Sequence, residues 1–148
     1  MRYMEEIDSS YGLYLAKIEE PEDNGLSLVV EEARPAGPGE DIEVGGVIIP
    51  NSREIVSDEG CSAWKISFNS YIAYSVRAES FTVLDPDEEF TGRLFCLYSK
   101  SKFIDYVREA TIAKSVFPEL TSRHYGINCL NHIVDVISFE EPEILKLR

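Results

Sequence analysis

Ala63-Trp64-Lys65-Ile66-Ser67-Phe68 is the stretch that decides the fold of this chain. Its apolar side chains fall at every second position from Trp64 onward, and the polar Lys65 and Ser67 stand between them. Because successive side chains of a β-strand point to opposite faces, this alternation predicts a strand with one buried face and one solvated face. The rest of the chain must then supply neighbouring strands and a layer that covers the apolar face.

Strand patterns flank this stretch on both sides. Residues 10–18 and 26–32 enclose the pair Asn24-Gly25, which supplies the positive φ angles of a tight turn and predicts a hairpin. Residues 33–40 hold two prolines and two glycines, so we expect a surface loop there. A further strand is predicted at 42–49 and ends at Pro50. Another is predicted at 71–79, and residues 80–84 either continue it or pair back on it. After a turn at 85–89, the last of these strands is predicted at 92–98.

One segment has the pattern of an amphipathic helix. Ser101 is a good N-cap, and apolar side chains follow it at three- and four-residue spacing as far as Thr111. Pro118 is expected to end this helix. Residues 124–138 fit either a helix or a strand, and their density of Val and Ile, together with the lack of caps, favours one long strand.

These segments predict an α+β fold, a largely antiparallel β-sheet with one main helix packed on a face. A length of 148 residues and a hydrophobic content of 44% suit a single domain that spans residues 1–148. The three cysteines (Cys61, Cys96 and Cys129) are odd in number, which argues for reduced thiols rather than a secreted disulfide framework. Since no signal-peptide pattern or membrane-spanning run is recognised, we expect a cytoplasmic protein.

Negative charge is concentrated in the first part of the chain. Of the net charge of −13, residues 1–60 contribute fifteen acidic and four basic side chains. Binding to nucleic acid or to an anionic membrane needs clustered Lys and Arg, so this balance argues against both partners. A concentrated negative field instead favours encounter with a basic protein, although acidity also serves solubility alone.

Candidate chemical groups gather near the end of the chain, at His124, Cys129, His132 and Asp135. Their spacing lacks the two short ligand pairs of a zinc site, and no phosphate-binding glycine loop is present, so we expect no metal and no cofactor. In one long strand, His124 and His132 would share a face and the other two residues would take the opposite face, so the four would not converge. A small cytosolic enzyme that uses these four residues is one alternative, and packing roles for the thiol and the imidazoles are the interpretation we favour.

The candidate partner-binding residues are acidic side chains of the first predicted hairpin, most of them in its turn, and two tyrosines in the central strands. Tyrosine is common at interface hot spots, although such a cluster also serves as core packing. The predicted contact residues are Glu19, Glu20, Glu22, Asp23, Glu31, Glu32, Tyr71 and Tyr74.

The chain also resembles a known class of proteins in its overall sequence texture. The stretches that carry this likeness are Trp64 through Tyr74, Glu79–Phe81, Ser101–Phe103, His124 through Ile137, and Glu141–Ile144. They are similar to small bacterial proteins that are comparable in size and acidity to the immunity proteins of polymorphic or contact-dependent toxins. The resemblance implies an inhibitor without catalysis, whose acidic surface covers a toxin domain, and it supplies no catalytic residues.

The sequence therefore predicts a non-catalytic, immunity-type binding protein that recognises a basic protein partner. The enzyme described above is the first alternative. A subunit of a homo-oligomer, joined through an exposed strand edge and without chemistry, is the second.

Overall fold

The computed structural model describes residues 2–116 and 123–148. This part of the chain forms ten strands and three α-helices, and a short 3-10 turn covers Glu79–Phe81. In chain order the elements are α1 (Arg2–Asp8), β1 (Gly12–Glu19), β2 (Leu26–Val44), β3 (Val47–Val56), β4 (Ala63–Phe68), β5 (Tyr71–Ala78), β6 (Glu89–Thr91), β7 (Phe95–Lys100), α2 (Lys102–Ala110), α3 (Ala113–Val116), β8 (Arg123–Asn128), β9 (His132–Ser138) and β10 (Glu143–Lys146).

The strands form two five-stranded sheets rather than one sheet. In the first sheet the order is β1-β2-β4-β10, and β3 pairs with the far half of β2. In the second sheet the order is β5-β9-β8-β7-β6. Every strand pair described is antiparallel. The predicted α+β class with mostly antiparallel strands is therefore confirmed. The prediction of one sheet is wrong, because the strands form two.

The inner faces of the two sheets share one hydrophobic cluster. Trp64, Ile66 and Phe68 of β4 are each at most 2% exposed, as their alternation predicts. They belong to the same cluster as Tyr125 of β8 and Val134 of β9 in the other sheet. Because a sheet with one apolar face must bury it against another layer, the second sheet supplies the cover that the sequence of β4 requires.

The predicted hairpin at Asn24-Gly25 is confirmed. β1 and β2 pair from Glu19↔Ser27 to Gly12↔Ala33, with an irregularity between Leu15 and Lys17. Asn24 has a φ of 64°, a left-handed conformation that asparagine tolerates better than most residues.

The predicted loop at 33–40 is wrong, and the predicted strand at 42–49 is instead the ends of two strands separated by a turn. β2 continues to Val44 and pairs with β3, and the chain reverses at Gly45-Gly46, with φ angles of 59° and 81°. The pairing shifts register between Ala36 and Glu40, where Gly37 has a φ of 73°. Prolines are tolerated in this ribbon because its strands have free edges, where a missing N–H breaks no ladder bond.

The single strand predicted at 124–138 is instead two strands. The strand type is confirmed, but β8 and β9 form a hairpin that turns at residues 129–131. The Cys129 N–H donates to the His132 carbonyl at 2.8 Å and closes this turn. The strand predicted to extend through 80–84 is also wrong, since β5 ends at Ala78.

The predicted N-cap of the helix is confirmed. The Ser101 hydroxyl accepts a hydrogen bond from the Ile104 N–H at 3.0 Å, and α2 begins at Lys102. Ile104 and Val107 form a small cluster with Ile137 of β9. The predicted stop at Pro118 lies outside the described residues.

Asp8, at the end of α1, holds the segment between β6 and β7. Its Oδ1 accepts from the backbone N–H groups of Arg93 and Leu94 at 2.7 Å and of Phe95 at 3.1 Å. Burial raises the pKa of Asp8, but these hydrogen bonds and the Arg93 charge outweigh it, so the pKa is lowered overall.

The lowered pKa of Asp8 makes its contribution to stability depend on pH. A carboxyl group with a depressed folded pKa stabilises fully above its unfolded pKa of about 4 and loses this effect as the pH falls through the folded value. We expect the stability gap between the wild type and Asp8→Asn to be largest near pH 6 and to shrink toward pH 2.5, measured by urea unfolding. The exposed Glu109→Gln is the control, and a gap for Asp8→Asn that stays constant over this range would contradict the assignment.

Candidate functional site

The outer face of the second sheet carries a buried histidine that is placed by three strands. Strand register sets Tyr98 opposite His124 and Gly126 opposite Asp135. A Cβ atom at Gly126 would lie 2.8 Å from Cε2 of Tyr98, so glycine leaves the space that this ring occupies. The Tyr98 ring stacks on the His124 ring with centroids 4.1 Å apart, and Phe103 of α2 meets the same imidazole edge-on at 5.5 Å.

His124 forms the centre of a hydrogen-bonded chain. Its Nε2 lies 2.7 Å from Oδ1 of Asp135, and its Nδ1 lies 2.8 Å from the Ser101 hydroxyl. The His124 side chain is 2% exposed and that of Asp135 is 5% exposed. Oδ2 of Asp135 is 3.6 Å from the half-exposed guanidinium of Arg77. With the Nε2 proton directed to Asp135, the Ser101 hydroxyl donates to Nδ1 while it accepts from Ile104.

A cavity of about 390 Å³ opens beside this chain of groups. His124, Asp135 and Tyr98 line it from the sheet, Arg77 lies at the end of β5, and the segment 81–86 forms another wall. Burial is the largest of the causes that raise the pKa of Tyr98 to about 12. The volume falls within the range of small-molecule sites.

The arrangement contains Ser, His and Asp, but the geometry does not favour nucleophilic catalysis. Ser101 is 2% exposed, caps α2 and does not line the cavity. His124 bonds both Ser101 and Asp135, but the hydroxyl that it would activate does not reach the cavity, so a ligand there would meet no serine nucleophile. The chain of groups is therefore suited to fixing α2 on the sheet.

Of the four residues predicted for an enzyme, the structure brings together only His124 and Asp135. The strand geometry predicted from the sequence is wrong for this pair, because the turn at 129–131 places both side chains on the outer face. His132 follows the alternation of the inward-facing Val134 and so leaves the face of His124. Cys129 joins the core cluster, and burial raises its pKa to about 12. A thiol that stays protonated is a poor nucleophile.

Metal ligation finds no support within residues 2–116 and 123–148. No group of three or more His, Cys, Asp or Glu side chains there is arranged to hold an ion. All three cysteines are free and buried.

A second feature lies at the β1–β2 turn, where several of the predicted contact residues converge. Glu20, Glu22 and Asp23 line a depression of about 550 Å³ together with Tyr71 of β5, which comes from the other sheet. We call these four residues the acidic depression. All three carboxylate residues are exposed, so their charge faces solvent.

Tyr71 connects the acidic depression to the core. Its hydroxyl donates to Glu20, and this hydrogen bond raises the pKa of Tyr71 to about 12. Its ring packs edge-on against Tyr74 with centroids 4.9 Å apart, and both rings pack against the main core cluster. Tyr71 therefore packs against the core and also presents part of its surface to the depression.

The other predicted acidic residues lie outside the acidic depression. Glu19 pairs with Lys17 at 3.2 Å. Glu31 pairs with Arg148 at 3.5 Å and accepts from the Ser57 hydroxyl at 3.3 Å. Glu32 accepts from the Ser62 N–H at 3.1 Å. Glu31 and Glu32 are only partly exposed, and their bonds hold the loop before β4, a long-range role that the sequence does not reveal.

The helices and the comparisons with known proteins give two further findings. Among the described helices, none has the length and apolar character needed to cross a membrane. The chain matches no protein-family model, no curated protein and no solved structure. The resemblance to immunity proteins therefore stays a hypothesis.

Proposed function

We propose that this chain is a non-catalytic binding protein that recognises a basic protein partner, as an immunity-type inhibitor would cover a toxin domain. The observation that carries the proposal is the acidic depression, in which three exposed carboxylate residues surround an anchored tyrosine. Two sheets contribute to it, so the fold fixes the distance between the carboxylates of the turn and the Tyr71 ring.

The chemistry of the depression suits a lysine or arginine side chain. Carboxylates bind the cationic head, and a tyrosine ring attracts a cation over its face. The surrounding negative charge of the first 60 residues accelerates the approach of a basic surface and makes the association rate depend on salt. Affinity then comes from the few contacts that are desolvated on binding, of which Tyr71 is the aromatic member.

The remaining parts of the proposal concern chemistry and location. In this proposal α2 is the one main helix packed on a face, and His124 and Asp135 hold it there instead of reacting with a substrate. Three free thiols support a reducing, cytoplasmic compartment.

The test removes three negative charges from the acidic depression and compares the loss of affinity with that caused by removing three negative charges elsewhere. We expect Glu20→Gln/Glu22→Gln/Asp23→Asn to weaken binding of a 14-residue peptide of alternating Lys and Ser by about tenfold at low salt, because the cation loses its charged partners. Fluorescence anisotropy of a labelled peptide at low and high salt measures the dissociation constant.

The matched control removes three exposed acidic charges at other places, Glu59→Gln/Asp105→Asn/Glu109→Gln. It has the same net charge as the first variant, and we expect a change of about twofold or less, since only the long-range field is altered. Equal losses in the two variants would show that net charge alone governs binding, and the proposed site would then be wrong.

A further inference from the structure

Residues 34–44 of β2 pair with residues 47–56 of β3 and form a two-stranded ribbon that contributes little to the shared core. From Glu40 to Ile49, every residue of this ribbon is exposed or partly exposed. An isolated two-stranded hairpin is marginally stable in water and is expected to be polar on both faces. Here the tip is rich in aliphatic residues, which calls for a physical explanation.

Four of the five aliphatic residues of the tip lie on one face. In the ribbon, Ile42 pairs with Ile49 and Val44 pairs with Val47, and directly paired residues project to the same side. Their exposed fractions are 43%, 44%, 58% and 64%, respectively. The opposite face carries the pair Glu43↔Ile48. We call the four residues Ile42, Val44, Val47 and Ile49 the ribbon patch.

The ribbon edges are poorly suited to pairing with another strand. Pro35 and Pro38 lie in β2 and Pro50 lies in β3, and proline offers no N–H to an added strand. Contact through the side-chain face is therefore favoured over contact through the backbone.

A second copy of this chain is a poor occupant for the ribbon patch. Four aliphatic side chains expose far less than the ~800 Å² that each partner buries in a standard interface. A symmetric contact would also bring together two chains that each carry a net charge of −13. The ribbon segment 40–54 holds four acidic side chains and one basic side chain, with Glu43 on the face opposite the patch, so the negative charge of the ribbon and of the whole chain favours a positively charged partner.

We propose that the ribbon patch docks into an apolar groove, rimmed by lysine and arginine, on the basic partner protein. This inference rests on the proposed function and adds a second contact element of different chemistry. The acidic depression supplies charge recognition, and the ribbon patch supplies the apolar surface that leaves water on binding.

The experiment separates these two elements with two peptides of equal charge. One is a 14-residue amphipathic helical peptide of Leu and Lys, and the other is the Lys and Ser peptide described above. We expect Val44→Thr/Val47→Thr to weaken binding of the Leu/Lys peptide by about tenfold and to leave the Lys/Ser peptide unchanged, because only apolar burial is lost. Glu20→Gln/Glu22→Gln/Asp23→Asn should weaken binding of the Lys/Ser peptide and leave the Leu/Lys peptide within about twofold, because the depression and the ribbon patch lie at opposite ends of β2, farther apart than such a short helix is long.

Ile48→Thr is the matched control, since Ile48 is 66% exposed on the opposite face of the same ribbon. We expect it to bind the Leu/Lys peptide within about twofold of the wild type. An equal loss in Ile48→Thr, no loss in Val44→Thr/Val47→Thr, or no binding of the Leu/Lys peptide to the wild type would overturn the inference. If Glu20→Gln/Glu22→Gln/Asp23→Asn lost binding of the Lys/Ser peptide alone, the inference about the ribbon patch would stand.

Two other occupants of the ribbon patch, a second copy of the chain and a lipid surface, would give different experimental results. A dimer seen by sedimentation velocity and abolished by Val44→Thr/Val47→Thr would show that a second copy covers the patch. Binding to phosphatidylcholine vesicles that depends on Val44 and Val47 would show a lipid surface, and either result would overturn the inference. Trp64 is the single tryptophan and is 1% exposed, so its fluorescence reports whether each variant is folded. If Val44→Thr/Val47→Thr does not fold, Ile42→Thr/Ile49→Thr takes its place in the experiment.

Discussion

Asp135→Ala is expected to lower the free energy of unfolding by about 3 kcal/mol, since it leaves the imidazole of His124 without its buried acceptor. The His124 ring is enclosed by Tyr98 and Phe103 and is 2% exposed, so water reaches the N–H group that loses its partner only from the cavity beside Asp135. Arg77 is half exposed and regains water, so most of the cost falls on His124. Urea unfolding at pH 7, followed by circular dichroism, measures the change.

Asp135→Asn separates the hydrogen bond from the packing at this position. Asparagine keeps the shape of the side chain and one acceptor oxygen, so it should recover most of the loss caused by alanine. Asp105→Ala, at an exposed position on α2, should change stability by about 0.5 kcal/mol or less. If Asp135→Ala unfolded within about 1 kcal/mol of the wild type, the buried chain of hydrogen bonds would not hold α2 as described.

Gly92→Ala is expected to have a second large effect, a loss of about 3 kcal/mol or more, because strain and a collision act together. Gly92 has a φ of 91°, and a Cβ atom there would lie 2.1 Å from the Phe95 carbonyl oxygen. The collision is with backbone, so no side-chain rotation relieves it. The adjacent residues 93–95 are held by Asp8, which prevents the segment from moving away.

Gly45→Ala is the matched control for Gly92→Ala. Gly45 also has a positive φ, 59°, but nothing lies within 4 Å of a Cβ atom there. Its substitution should therefore cost only the left-handed conformation, about 1 kcal/mol. Thermal and urea unfolding of both variants, with Trp64 fluorescence as the signal, give the comparison. Equal losses at the two positions would show that the close approach to Phe95 is relieved by local movement.

Local patterns predicted elements better than they predicted connections. The alternation at 63–68 identified β4 because burial of one sheet face acts on every second residue of a strand. The glycine pair at 45–46 was the signal for the ribbon hairpin, but the prolines before it favoured a loop. Free ribbon edges remove the cost of those prolines, and no local pattern shows that an edge is free.

The candidate site could be predicted only in part for the same reason. Glu20, Glu22 and Asp23 are neighbours in sequence, so their exposure together at a turn follows from the turn itself. Tyr71 joins them because β5 of the other sheet passes that turn. His124 and Asp135 meet because the chain reverses at 129–131, a turn between Asn128 and Asn131 that the dense Val and Ile pattern concealed.

By itself, the sequence determined the strand-rich character of this protein, the cap of α2, the hairpin at Asn24 and the negative charge of the first 60 residues. These properties depend on backbone preference, side-chain period and composition, which act over a few residues. The pairing of two sheets, the burial of His124 against Asp135 and the outward aliphatic face of the ribbon were decided by the tertiary structure. They depend on register and on which faces remain uncovered, and those are set only when distant strands pack.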